Sequence, residues 1–345
     1  LFDDIKIYPK PQPDGRLDLD VTVAEAMPRE FGFGLGYDTY DGALGSVDYT
    51  NRSLFDTGRL FKAALEASFR GISGAVSLTD PWIFDSDYAF TAKIFTGYKD
   101  FDAYTRMEGG VRLELSRTFG DLQLLTFTQA KHVQVDDYTL QPANVGLDNY
   151  DVASVGLAAV YDRRDSKVLP HSGYILSAST EVAPELSSVS FVRAVLKGGY
   201  YFPIGRSTFL LLGQGGVIHP LGSQGLPIDE RFFNGGANSV RSFNEREMGP
   251  QDPNGEHIGG QVYTAFTAEY NFPLLGDLYG AVFVDAGNVL PLAGDFGVEE
   301  LRFALGVGLR YYLPIGPVRF DVALNPDPQE GETNGAIHFG FGFSF

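Results

Sequence analysis

Residue types able to do chemistry are plentiful in this 345-residue chain, but their spacing assembles no catalytic set. The histidines His132, His171, His219, His257 and His338 stand at separations that fit no metal site, so each reads as an ordinary strand or loop residue. The absence of cysteine removes thiolate nucleophiles, disulfide scaffolds and thiolate zinc sites together. Neither a G-x-S-x-G nucleophile elbow nor a G-x-x-x-x-G-K-S/T phosphate loop occurs. Gly32-Phe33-Gly34-Leu35-Gly36 has the glycine spacing of a dinucleotide loop, yet it lies inside an alternating segment with no helix after it. Asp252-Pro253-Asn254-Gly255-Glu256 offers oxygen ligands for calcium, but a plain turn accounts for the same residues. Asp162-Arg163-Arg164-Asp165, followed by Pro170 and Gly173, reads as a structural ion-pair region. Neither a cofactor, a metal nor an enzymatic activity is expected. Lys and Arg number 26 against 44 Asp and Glu, a net charge of −18, which argues against a nucleic-acid partner.

The elements that would position these groups are strands. Gly 42, Phe 28 and Tyr 18, against a single Trp and three Met, suit twisted sheet and tight turns better than helical bundles. No apolar run approaches the length of a membrane helix. From Phe31 onward, apolar residues alternate with polar or small ones. Phe61, Ala63, Leu65, Ala67 and Phe69 share one face, and Leu301, Phe303, Leu305, Val307, Leu309 and Tyr311 stand opposite Arg302, Ala304, Gly306, Gly308 and Arg310. A soluble sandwich would also alternate. Here, however, charges stand beside glycines on one face and aromatics fill the other, the inversion that a transmembrane barrel needs.

Segments bounded by Gly, Pro, Asn or Asp number about sixteen, running from 31–40 to 335–345. Their connections fall into two alternating sets. One is expected to be uniformly short, as at Leu54-Phe55-Asp56-Thr57, Phe119-Gly120-Asp121 and Leu313-Pro314-Ile315-Gly316; the other holds the long ones, 136–150, 221–258, 289–300 and 326–334. The fold class is therefore all-β: a transmembrane antiparallel barrel over residues 31–345. In residues 1–30, Leu17, Leu19, Val21 and Val23 alternate with Asp18, Asp20 and Thr22 like the closing strand of a small soluble domain. That piece is expected to be the tail of a larger periplasmic domain, since so short a segment cannot bury a core.

Four segments resemble the BamA/TamA family of outer-membrane insertion proteins. Residues 14–29, from Asp14-Gly15-Arg16 to Pro28-Arg29, resemble the end of the family's last periplasmic POTRA domain, and Asn51-Arg52-Ser53-Leu54-Phe55-Asp56-Thr57-Gly58 resembles its early turn. In the longest loop, Phe232 to Phe243 resembles the signature GG-x-x-S-V-R-G-F, with Ser242 in place of the usual glycine. Phe283-Val284-Asp285-Ala286-Gly287 resembles the F-x-D-x-G motif of the thirteenth strand. The barrel of about 315 residues counted from Phe31 brings the chain nearer TamA.

The resemblance implies that the loop 221–258, carrying Val240, Arg241, Ser242 and Phe243, folds back into the lumen. An arginine inside a barrel needs carboxylate partners. Period two turns Phe283, Asp285 and Gly287 inward, as it does Thr267 and Glu269, so Arg241 with Glu269 and Asp285 forms an expected internal clasp. Without the resemblance a solvated loop arginine is the simpler reading.

The first strand carries Phe31, Gly32, Phe33, Gly34 and Gly36, and the last carries Gly340, Gly342, Phe343 and Phe345. Interior glycine weakens a strand. Two weak strands at the closing edges suggest a seam that opens laterally, or glycines that only let the barrel curve. The function so implied is insertion of client β-barrel or autotransporter proteins through that seam, in the bacterial outer membrane with the N-terminal segment in the periplasm. Its partners would be lipids, unfolded client outer-membrane proteins and periplasmic or lipoprotein accessory subunits. A passive pore, a two-partner-secretion translocator and a barrel anchoring an upstream enzyme domain are the competing readings.

Overall fold

The computed structural model describes residues 2–341 except 14, 26, 168, 224, 293, 295–299, 314, 315 and 330, and omits the side chains of residues 2, 3, 25, 316 and 317. β1 (Phe2–Pro11) and β2 (Leu17–Glu25) pair as an antiparallel hairpin of their own. Ile5, Ile7, Leu19, Val21 and Val23 are exposed along it, with Ile5 opposite Val23 and Ile7 opposite Val21. The sequence reading finds only the second strand of this hairpin; Pro9 and Pro11 obscure the alternation of the first.

Sixteen strands then close a barrel in which each pairs antiparallel with its chain neighbours and the last meets the first. They are β3 (Arg29–Asp38), β4 (Gly42–Leu54), β5 (Arg59–Ser68), β6 (Gly71–Asp80), β7 (Ala89–Asp100), β8 (Thr105–Phe119), β9 (Leu122–Asp136), β10 (Asn149–Asp162), β11 (Gly173–Ala183), β12 (Phe191–Ile204), β13 (Ser207–Pro220), β14 (Val262–Leu275), β15 (Leu278–Leu290), β16 (Arg302–Leu313), β17 (Gly316–Leu324) and β18 (Gly335–Phe341). The alternation places the strands where the sequence leads one to expect them. On β10, Val155 and Leu157 are 56% and 63% exposed, while Tyr150, Val152 and Ser154, which precede them on the alternate face, are buried. Lipid-facing Leu, Val and Phe surround a wall whose inner face carries buried Glu269, Asp285, Arg310 and Asp321.

The connections correct one expectation. On the side of the tight turns, β6 is joined to β7 through 81–88 and β10 to β11 through 163–172, so that set is not uniformly short; on the loop side, 39–41 and 69–70 are brief. The reason for the second exception is local bonding. Arg164 pairs with Asp162 at 2.8 Å, Arg163 reaches Asp121 at 3.0 Å, and Asp165 accepts from the His171 and Ser172 amides, which holds 163–172 as a compact ion-paired turn. Two apolar clusters fill the interior. Tyr150, Phe191, Ile218 and Ile228 belong to one near the loop side, and Val240, Phe243, Met248, Tyr263 and Phe283 to the other.

Candidate functional site: the lumen loop and the seam

Residues 221–261, between β13 and β14, turn inward. Gly235 and Gly236 adopt φ of +100° and +97°, a region that side chains rarely enter, and they fold the chain back on itself. The Asn234 amide locks this turn against the wall, donating through Nδ2 to Thr264 O at 2.8 Å while its Oδ1 accepts from Gly235 N at 3.1 Å. Bridges between Phe232 and Gly260 and between Asn234 and Met248 make the loop a hairpin rather than an irregular coil. Its tip, Val240 to Phe243, is buried at all four residues, and Phe243 N donates to Val240 O at 3.2 Å.

Arg241 meets a set of carboxylates there. Its Nε and Nη2 donate to Asp285 Oδ2 and Oδ1, both at 2.7 Å, in a bidentate fork, and Nη1 donates to Glu269 Oε2 at 2.6 Å. The guanidinium lies over the Phe283 ring, 3.3 Å from its centroid. Thr267 Oγ1 donates to Asp285 Oδ1 at 2.8 Å. Burial opposes the arginine charge, but Asp285 and Glu269 more than offset it, so the Arg241 pKa is raised. Gly287 completes the motif sterically: a Cβ there would clash with the Thr264 carbonyl of β14 and stand 2.8 Å from Val240 Cγ2 and 3.0 Å from Asn234 Nδ2 of the loop.

Sequence reasoning missed the outer members of this network. Arg310 reaches Glu269 Oε2 at 3.3 Å and Asp321 Oδ1 at 2.7 Å, and Arg319 also pairs with Asp321. Three arginines, 241, 310 and 319, thus face three carboxylates, 269, 285 and 321. His338 is more than an ordinary strand residue, since its Nε2 bonds Arg241 O at 2.9 Å. The alternation already turned Arg310 inward; its partner across the neighbouring strand depends on register, which the sequence does not display. Ser242 has no positive φ and therefore needs no glycine. Its Oγ donates to Phe303 O at 3.1 Å, and its carbonyl accepts from Thr333 Oγ1 at 3.0 Å. Asp252 accepts from the Gln141, Asn254 and Glu256 amides, an Asx-type turn that ties two loops together.

The second candidate region is the closure. Among the described residues β18 meets β3 only at Gly340 opposite Asp38 and Phe341 opposite Tyr37. On its other side β18 faces β17, from Val318 opposite Phe341 to Leu324 opposite Gly335. Thr39 supplements the closure, its Oγ1 accepting from Phe339 N at 2.7 Å. Phe31, Phe33 and Leu35 point outward, with Phe33 81% exposed, and Gly32, Gly34 and Gly36 point inward. Gly34 stands opposite Ser46 of β4. Gly342, Phe343 and Phe345 lie outside the described residues.

A family model described as Omp85 superfamily domain matches residues 54–345. The outer membrane protein assembly factor BamA of Nitratidesulfovibrio vulgaris is 27% identical over 97% of this chain and 44% of its own length, so the chain spans about half of that relative. In fold, the chain is similar to BamA from Haemophilus ducreyi lacking POTRA domains 1–3, with a TM-score of 0.87 at 16% identity over 99% of this chain and 75% of that one. CdiB from Acinetobacter baumannii gives a TM-score of 0.62 at 16% identity over 98% of this chain and 64% of that one.

Proposed function

The chain belongs to the Omp85 superfamily, and from that premise we propose that it folds and inserts client β-barrel or autotransporter proteins through a lateral seam between β3 and β18. It is a β-barrel of the bacterial outer membrane and not an enzyme. The observation that carries the proposal is the composition of the closing strand β3, where Gly32, Gly34 and Gly36 face inward between outward Phe31, Phe33 and Leu35 and offer no side chains to pack along the edge that meets β18 at Asp38 and Tyr37. Backbone N–H and C=O groups exposed to hydrocarbon are costly. An incoming client strand that adds to this edge satisfies its own polar groups as it enters the bilayer. Phe31 and Phe33, outward on the same strand, disturb lipid packing where the client arrives.

In this account Arg241, Glu269 and Asp285 act as a clasp that holds the loop in the lumen and keeps the wall in shape while the seam works. Residues 1–30 are the end of a POTRA-like periplasmic domain, a reading supported by the apolar row on β1 and β2 that a larger domain would cover. Lipids, unfolded client proteins and periplasmic or lipoprotein accessory subunits are the partners, and no cofactor takes part.

The likeness to CdiB in fold favours a second reading, in which a soluble client of a two-partner system passes through the lumen. Photocrosslinkers at Phe33 and Leu35 in the full-length protein, compared with one at Leu157 on β10, separate the two during client assembly. The seam account expects client adducts at Phe33 and Leu35 and none at Leu157. Adducts confined to lumen positions such as Asn238 would favour the second reading.

A further inference from the structure

Arg241 is a loop cation seated on anions of the wall. Earlier in the same loop the polarity is reversed. Asp229 and Glu230 belong to the 3-10 turn Ile228–Glu230, and Glu230 is only 2% exposed. Its carboxylate accepts from Arg193 Nη2 at 2.6 Å and pairs with Lys131 Nζ at 2.8 Å, and the same Arg193 nitrogen also donates to its backbone carbonyl at 2.9 Å. Tyr150 OH donates to Oε1 at 3.4 Å. Asp229 accepts from Tyr104 OH at 3.2 Å and from Arg106 Nη1 at 3.3 Å. The cations stand on β8, β9 and β12, whereas the carboxylates that hold Arg241 stand on β14 and β15.

Burial by itself would push the Glu230 carboxyl up, but Lys131 and Arg193 outweigh it and hold it down to about 2. This group is ionised throughout the physiological range. Ile228 and Leu226, beside it, are sealed into the apolar cluster with Tyr150 and Phe191. Only residues 231–240 separate the two charged seats, and they carry the Gly235-Gly236 reversal.

We propose that Glu230, assisted by Asp229, is a second anchor of the loop, opposite in charge to Arg241, and that the two anchors together make the loop a strut between two sectors of the wall. The clasp at Arg241, with the Asn234 and Ser242 bonds beside it, fixes the tip of the loop against β14 to β16 and leaves the first half of the loop to be placed by other contacts. A second seat of inverted polarity places that half and admits only one placement, because exchanging the seats would set like charges against each other. Glu230 is thus a positioning residue for Arg241. It touches neither client nor seam, and the inference does not depend on what the barrel transports.

The cysteine-free chain suits a spin-label test in the full-length protein in liposomes. One label pair, Asn244→Cys with Val284→Cys on β15, reports the Arg241 end. A second, Ser223→Cys with Leu157→Cys on β10, reports the Glu230 end. With Glu230 intact, both pairs should give a single narrow distance. In Glu230→Gln both should lose it, including the Arg241 end, where no residue has been changed, and Glu230→Asp should restore it at both ends. Heat-modifiability on a gel checks that the barrel is folded, and Lys131→Met supplies the same loss from the wall side should Glu230→Gln fail to fold. A distance at the Arg241 end that stays narrow in the folded variant would overturn the proposal, leaving Glu230 a purely local contact.

Discussion

A guanidinium that is 3% exposed persists only because every donor it turns toward the wall finds an anion or a ring. Removing one partner from such a set costs more than the pair itself contributes, since the others remain buried and unpaired. Arg241→Ala should therefore destabilise the inward loop by about 3 to 5 kcal/mol, seen as a lower urea midpoint and as trypsin cleavage within 221–261. Asp285→Asn, which keeps the shape but loses the charge, should lose a substantial part of the same amount. The Glu245 carboxyl behaves in the opposite sense to that of Glu230. It is pushed up to about 7, by burial first; Arg246 and Lys99 lower it, while Asp38 and Asp41 raise it. Above that pH the folded loop carries an ionised group it would rather keep neutral. Lowering the pH from 8 to 5 should thus stabilise the loop by roughly 2 to 3 kcal/mol through this residue. The Glu230 contribution is complete above the ordinary carboxyl value and is lost only as pH falls toward 2. Glu245→Gln should raise the loop's urea midpoint at pH 8 and flatten its pH dependence between 5 and 8. A steeper dependence in that variant would contradict the assignment. Period two, with the family resemblance, made the inward turn of Glu269 and Asp285 legible in the sequence. The roles of Arg310, Asp321 and Glu230 were not, although alternation turned Arg310 inward, because each matters through a partner on another element.

Strand pairing explains why the elements were so much easier to read than their links. A barrel strand must alternate along its whole length, so every residue from Arg302 to Leu313 repeats the same message. A connection carries no such redundancy. The 163–172 segment looks long in sequence and is compact in space because Arg164 and Asp165 bond within it. Phe2–Pro11 escaped notice because prolines break the pattern at its end. Glycine has different work at different places in these strands. At Gly287 a side chain would meet the Thr264 carbonyl of β14 first and then Val240 and Asn234 of the loop, so Gly287→Val should strain the wall, push the loop from it and destabilise the fold by about 1 to 3 kcal/mol. At Gly45 a Cβ would meet nothing within 4 Å. Gly45→Ala should leave stability within about 0.5 kcal/mol of the parent, or raise it slightly. Equal effects at the two positions, measured by urea unfolding in liposomes, would remove the steric role given to Gly287.

Across the whole molecule the polarity of a soluble protein is inverted. Ion pairs occupy the middle and aliphatic side chains the outside, because hydrocarbon rather than water surrounds the wall. Val284, 43% exposed on β15 between buried Phe283 and Asp285, marks the boundary within three residues. Val284→Arg should cost about 2 to 4 kcal/mol if it lies near the bilayer midplane, whereas Val284→Leu should be silent. The proposed loop strut would stiffen this wall where its ion pairs sit, on β8, β9 and β12 and on β14 to β17, and the proposal then expects deformation during client entry to concentrate at the closure between β3 and β18. A disulfide across that closure tests the central claim most directly. Tyr37→Cys with Phe341→Cys, and Asp38→Cys with Gly340→Cys, stand on facing positions, and no native cysteine competes for the pairing. Client insertion into liposomes by the full-length protein should stop when the seam is crosslinked and return on reduction, with conductance through the lumen unchanged. Insertion by the crosslinked protein at the rate of the reduced one would contradict lateral opening.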